Sequence, residues 1–467
     1  MKIANAKASW LEEKGQRLDA SYHLSEGRQA QITIESQEDY ASLAEVTERI
    51  FLGGRFRRTY VEDPARGYPY LTASDMIKAS PVSGVYLSKL HTGKTDKLKI
   101  QKNWILISCS GSIGRTVYTN ADFEGQLGTH DLIRVVPDPA RMPGGYVYAF
   151  LSSKYGFSLL TQGTYGGVIQ HIEPHHIAGL PVPRLPVAQM QQIHEDIEQA
   201  ARLREEATQL LAEADEAFLA ALQLEPGELQ LLTSPNERDI STTRVLKSSA
   251  VGALTLRGRN YGLRLEKIIT LLKKGRWQPL EELLQTSPFY TGRFKRLAST
   301  SPTAVELYSQ SNLFALQPKG QIISARTVPN DVSVTKGSIL VAGVGTLGEN
   351  EIFGRAKFVW GYLEDKLVAQ HIIRFVPNEE LIDEGYLFTV LNSKLWFRIF
   401  RSSVCGTSLL SFIIPLLNTM PVPRIGDEVE QEIGRKVKLA YEKLTKAIVF
   451  ENQAVHTVET AISAWQK

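Results

Sequence analysis

Cysteine is nearly missing from this chain, with Cys109 and Cys405 the only two in 467 residues. Two thiols cannot build a disulfide framework or a zinc cluster, so a reducing cytoplasm is the expected setting. Long apolar runs are missing as well, which leaves no segment to span a bilayer, and no membrane role is expected. The opening Met1-Lys2-Ile3-Ala4-Asn5-Ala6-Lys7 lacks the apolar core of a signal peptide. Nor is there a strong net charge: +3 at pH 7 identifies no partner by itself. What remains is 43% hydrophobic and 22% charged, an ordinary globular mixture whose length suggests roughly two to four domains.

The charge is unevenly placed. Residues 51–100 hold nine Lys/Arg against four Asp/Glu, and residues 251–300 hold ten against three. Residues 188–230 hold two against ten. A polyanion would be drawn to the first two stretches and repelled by the third.

Self-similarity explains the alternation. Ile133-Arg134-Val135-Val136-Pro137 matches Ile373-Arg374-Phe375-Val376-Pro377, an offset of 240 residues. The same offset relates Leu151-Ser152-Ser153-Lys154 to Leu391-Asn392-Ser393-Lys394, and Pro181-Val182-Pro183-Arg184 to Pro421-Val422-Pro423-Arg424. Gly111-Ser112-Ile113-Gly114 pairs with Gly345-Thr346-Leu347-Gly348 at 234, and Gly54-Arg55-Phe56-Arg57-Arg58 with Gly292-Arg293-Phe294-Lys295-Arg296 at 238. Five segments in one order at near-constant spacing mark a tandem duplication. In each copy a helix precedes the basic Gly-Arg-Phe segment. Short apolar strands follow, such as 104–108 and 338–341, then a helix over 145–157 or 385–400, and then a Gly-Thr loop at Gly163-Thr164 or Gly406-Thr407. Pro-Val-Pro-Arg cannot lie inside a helix and ends each globular part.

After each Pro-Val-Pro-Arg the apolar period becomes seven. The first seam reads Ile193, Ile197, Ala200, Arg204, Ala207, Leu211, Ala214, Phe218; the second reads Ile433, Val437, Ala440, Leu444, Ala447, Glu451, Ala454, Val458. Alternating steps of four and three are those of a coiled-coil seam, and two matching seams predict that the helices pair with each other. The first, about 30 residues, is roughly 45 Å long. Each seam has one charged interruption, Arg204 or Glu451, and antiparallel pairing would bring these two together to fix the register.

Catalytic patterns mostly dissolve on inspection. Gly343-Val344-Gly345-Thr346-Leu347-Gly348 fits a dinucleotide fingerprint, but that motif needs a helix after its last glycine, and residues 351–354 and 358–360 read as strand. Base methylation would need an Asn/Asp-Pro-Pro-aromatic motif, which the chain lacks. His171, His175 and His176 are interrupted by Pro174 and have no counterpart in the second copy, so they read as a polar loop rather than a metal site. The chain is therefore expected to bind rather than catalyse. The candidate DNA contacts are Arg55, Arg57, Arg58, Lys94, Lys97, Arg115, Gln162, Thr164, Tyr165 and Gln170 in the first copy. In the second they are Arg293, Lys295, Arg296, Lys336, Arg355, Thr407 and Ser408. Cations beside an aromatic residue and flexible glycines can follow a phosphate backbone or reach base edges, and loop hydroxyls and amides suit base hydrogen bonds.

The layout resembles the specificity subunit of type I restriction-modification systems. The resemblance rests on Arg17-Leu18-Asp19-Ala20-Ser21-Tyr22, the Gly-Ser/Thr-x-Gly segments at Gly111 and Gly345, the Gly-Thr loops, and both Pro-Val-Pro-Arg segments leading into long helices. The second copy departs from it at its start, with Arg259-Asn260-Tyr261. It implies an α+β chain of two similar mixed α/β target recognition domains in tandem, separated by two long helices pairing as an antiparallel coiled coil. The expected boundaries are 1–187 for the first domain, 188–223 for its helix, 224–250 for a connector, 251–425 for the second domain and 426–467 for the last helix. It also implies double-stranded DNA as ligand, one half of a bipartite target per domain, two docked methyltransferase subunits and motor-nuclease subunits. S-adenosylmethionine, ATP and Mg²⁺ would reside on those partners and none on this chain. A fused modification and restriction enzyme, or a repeat scaffold that binds no DNA, are the competing readings.

Overall fold

The computed structural model describes residues 23–37, 39–81, 84–93, 95–162, 171–234, 246–247, 252, 254–329 and 332–465. The Arg17 to Tyr22 segment, Lys94, Thr164, Tyr165, Gln170 and most of the connector lie outside the described residues. The chain divides into two compact units, one of residues 1–205 with 446–467, the other of residues 206–445.

The first unit has a main antiparallel sheet of strands Thr47–Leu52, Leu132–Pro137, Ile105–Ser108 and Thr116–Tyr118, in that order. Strand side chains alternate between faces. Ile105, Ile107, Ile133 and Val135 therefore share one core with the helices, while Leu106 and its partner Arg134 point the other way. On that side lies a smaller sheet of Tyr60–Val61, Tyr86–Ser88, Gly67–Leu71 and Leu127–Gly128. The second unit repeats the plan, with a main sheet of Phe289–Tyr290, Ile372–Phe375, Ile339–Ala342 and Ala356–Phe358, and a side sheet of Gln321–Ser324, Ala304–Tyr308 and Leu367–Val368. Ile339, Val341, Ile373 and Phe375 face its helices, and Leu340 pairs with Arg374 on the opposite face. In each unit Pro-Val-Pro forms a two-stranded ribbon, Pro181–Pro183 with Tyr40–Ser42 or Pro421–Pro423 with Trp277–Pro279. An edge ribbon tolerates the missing proline donors.

Two expectations need correction. The helix expected over 145–157 is two helices, Gly144–Ser152 and Lys154–Gln162, and the one expected over 385–400 is Glu384–Asn392 and Lys394–Ser402. The break falls at Ser153 and Ser393, both buried with extended backbone. Their hydroxyls accept from Gly156 N and Trp396 N, each at 3.2 Å, so a serine cap outcompetes continuation. After Gly348, residues 351–354 form a turn, and only Ala356–Phe358 is strand.

The first long helix spans Val187–Ala221 and the second Asp427–Ala464. Within the second unit Lys436 binds Glu213 at 2.6 Å and Lys443 binds Glu206 at 2.5 Å, so seven residues forward on one helix match seven back on the other. That is antiparallel pairing. Seam residues are buried throughout, apart from Arg204, Leu211 and Leu444, which are half-buried. Within the first unit the Arg204 guanidinium pairs with the Glu451 carboxylate, which also accepts from the Tyr148 hydroxyl. Glu451 is 1% exposed, and burial, with Glu451 beside it, pushes the Tyr148 hydroxyl up, keeping it a donor.

A buried carboxylate stripped of its cation is costly, whereas an apolar pair of similar size is not. Arg204→Leu is expected to destabilise the chain by about 3–5 kcal/mol, and Arg204→Leu/Glu451→Leu by clearly less than the sum of the single changes. Chemical denaturation of the three variants measures both; additive losses would contradict the pairing.

Candidate nucleic-acid interface

In the first unit the basic segment leaves the main sheet at Leu52 and enters the side sheet at Tyr60. Beneath it lies Arg134, fully buried, whose guanidinium donates to the carbonyls of Leu132 at 2.6 Å, Gly128 at 2.7 Å, Thr129 at 3.1 Å and Leu98 at 3.4 Å. Burial pulls this guanidinium down to about 10, still protonated at neutral pH, and the carbonyl dipoles replace its lost hydration. A side chain at Gly53 would meet the guanidinium at 2.9 Å, so the segment starts directly on top of it. Phe56 then turns inward against Tyr70, Leu87, Leu98 and Leu127. Arg55, Arg57 and Arg58 are left exposed. Arg58 reaches Thr129 Oγ1 at 3.3 Å and His130 Nδ1 at 3.2 Å, and lies 5.7 Å from the Tyr70 ring. Lys97 is exposed in the turn Thr95–Lys97, next to Leu98 in this same cluster.

The second unit repeats this construction. Arg374, 4% exposed, donates to Val332 O at 2.5 Å and Ser333 O at 2.9 Å. Phe294 packs against Leu307, Ile323 and Val332, and Arg293, Lys295 and Arg296 are exposed. In both units the alternation of cation and phenylalanine is an inward anchor with outward charges.

The glycine loops form a second feature. In the second unit Val344–Gly345 pairs with the hairpin Val404–Gly406/Leu410–Phe412, whose tip exposes Thr407 and Ser408. Tyr290, just ahead of the basic segment, donates to Gly343 O at 2.9 Å and joins this loop to the segment. Residues not singled out from sequence bolt it down. Arg398 binds Glu349 at 2.6 and 2.9 Å, Arg401 donates to the carbonyls of Leu347, Gly348 and Phe353, and Arg257 donates to Gly406 O at 2.5 Å. Asn260, from the segment where the second copy departs, is buried and donates to Ser402 O at 2.6 Å. Its role here is to hold the hairpin.

Other candidates are placed differently. Arg115 is exposed 5.9 Å from the Phe157 ring, beside the Lys154–Gln162 helix, and Gln162 ends that helix half-buried against Gly27. Arg355 lies 4.1 Å from the Phe397 ring and donates to Glu349 O. Lys336 is held by Glu364 at 3.4 Å and Trp360 at 4.1 Å, where Trp360 also neighbours Lys438 of the long helix. His171 bridges to Ser110, and His176 Nδ1 accepts from Glu173 N at the start of the short Pro174–Ile177 helix. Among the described residues no group of three metal-ligating side chains comes together, and no helix is long and apolar enough to cross a membrane.

Residues 41–199 match the family model described as type I restriction modification DNA specificity domain. No curated protein matches the chain in sequence. Among solved structures, the S subunit of a type I restriction-modification system from M. genitalium is 16% identical, over 91% of this chain and 95% of that one, at a TM-score of 0.38. The HsdS subunit from Thermoanaerobacter tengcongensis is 12% identical, over 91% and 94%, at 0.26. A structure described by the complex assembly and conformational transition of the type I R-M system is 12% identical, over 91% and 95%, at 0.26.

If the exposed cations meet phosphates, each neutralised phosphate adds about 0.9 to the slope of log affinity against log salt. Changing Arg55, Arg57 and Arg58 together to alanine should flatten that slope by about 2–3, as should the same change at Arg293, Lys295 and Arg296. Filter binding of mixed-sequence duplex across a salt series reads this directly. An unchanged slope would remove these segments from the interface.

Proposed function

We infer that this chain, whose first unit belongs to the type I restriction modification DNA specificity family through residues 41–199, is the DNA-sequence-reading subunit of a type I restriction-modification complex. The observation that carries the reading is the doubled construction: one basic segment anchored by phenylalanine beside a buried arginine, present in each unit. Each unit reads one half of a bipartite site on double-stranded DNA, with phosphate contacts setting register and the loop groups reading base edges. Thr164, Tyr165, Gln170 and Lys94 belong to this set by sequence alone. The long helices act as an antiparallel coiled coil that fixes the distance between the half-sites, and the Arg204–Glu451 pair fixes its register.

Catalysis is assigned to partners. Two methyltransferase subunits dock on the chain and bring S-adenosylmethionine, and motor-nuclease subunits bring ATP and Mg²⁺. The chain itself supplies no catalytic group, and its place is in the cytoplasm with the DNA it marks. A purified chain that methylates DNA alone would overturn this division.

Inserting one heptad into both long helices adds roughly 10 Å of helix at the same seam register. Methylome sequencing of cells carrying the altered chain with its partners should then show the same bases read, with a longer unread gap. The old spacing after insertion would rule out the ruler.

A further inference from the structure

His130 lies beside the basic segment of the first unit and was not marked by sequence; by the 240-residue repeat it matches Gln370, and His371 matches Asp131. Both histidines lie in the turn entering the strand that carries the buried arginine: His130 before Leu132–Pro137, His371 before Ile372–Phe375. His130 is about one quarter exposed. Its Nδ1 is 3.2 Å from Arg58 Nη2 and its Nε2 3.4 Å from Asp131 Oδ1, with Arg55 and the buried Arg134 as the further charges around it. His371 is half-buried, with Gln370 Nε2 at 3.4 Å from its own Nε2.

We propose that His130 takes up a proton when the basic segment of the first unit engages DNA phosphates, making that half of the interface a proton-linked contact. The proposal rests on reading that segment as DNA-binding surface. In the free protein burial and the neighbouring arginines hold both rings below the ordinary 6.5, with Asp131 opposing this at His130. The neutral His130 can then accept from Arg58 at Nδ1. Phosphates arriving at Arg55 and Arg58 cancel the positive field and add negative charge within a few ångströms, which favours the imidazolium. One proton from solvent then occupies Nδ1, and Arg58 loses its acceptor there and turns its fork to the phosphate. The sign follows from the two states. The pKa is lowered when free and raised when bound, so the added affinity is present at low pH and fades as pH rises through the bound-state value.

The test is binding of the full chain to a mixed-sequence duplex of about three helical turns at fixed ionic strength. Titration calorimetry in two buffers of different ionisation enthalpy counts protons. The wild type should take up protons at neutral pH and bind about three- to tenfold more tightly at pH 6 than at pH 8. His130→Gln should remove most of this, and His371→Gln should leave it unchanged. Arg58→Ala should raise the His130 titration midpoint in the free protein, followed by ring proton NMR. A His130→Gln variant that binds with wild-type proton uptake and pH slope overturns the linkage alone, as does a His130 midpoint indifferent to Arg58. A wild type that binds no duplex at either pH overturns the DNA reading together with it.

Discussion

Everything in each unit hangs on one close approach of backbone to backbone. At Gly145 a side chain would meet His194 atoms at 2.8–3.0 Å, and at Gly385 it would meet the Gly434 backbone at 2.7–3.2 Å. Only glycine lets the domain helix lie this close to the long helix, and the same contact recurs 240 residues later. Tyr146 and Tyr386 then donate to Pro183 O and Pro423 O at 2.7 and 2.6 Å, tying the same helix to the strand that feeds the long one. The joint between the sheet domain and its long helix is therefore packed main chain rather than a linker, with no slack to give.

The buried arginines make the corresponding link between core and surface. A guanidinium inside a sheet protein is costly unless its donors are met. While its Nε is buried without a partner, Arg134 offsets most of that cost through Nη1 and Nη2, which donate to carbonyls of the turn before its strand, of Gly128 in the side sheet and of Leu98. These are the pieces that support Phe56 and the exposed arginines. Core stability and the placement of surface charge are thus set by one residue in each unit, and the site inherits the rigidity of the sheet.

Much of this was written openly in the sequence. A duplication shows as repeated residue types whatever the fold, and a seven-residue seam shows as spacing, so tandem units and paired helices could be read directly. Ser153 and Ser393 could not be placed as helix breaks because a serine amid apolar residues is compatible with either outcome. Arg134 and Arg374 stood out as repeat markers, yet an arginine in a strand reads as solvent-facing until the partner carbonyls are located. Nothing in the sequence marked Arg398 and Arg401, which in the fold are buried and hold the glycine loop. His130 became meaningful only once Arg58, far from it in sequence, met it. In each case the missing information was long-range contact.

A chain that reads two separate blocks of DNA sequence, as proposed, must select both at once. Selection of bound duplexes from a randomised pool by the full chain tests this most directly. The account predicts two short blocks of fixed bases at one constant separation, with unselected positions between them. A single continuous block, or recovery of the pool without base preference, would contradict it.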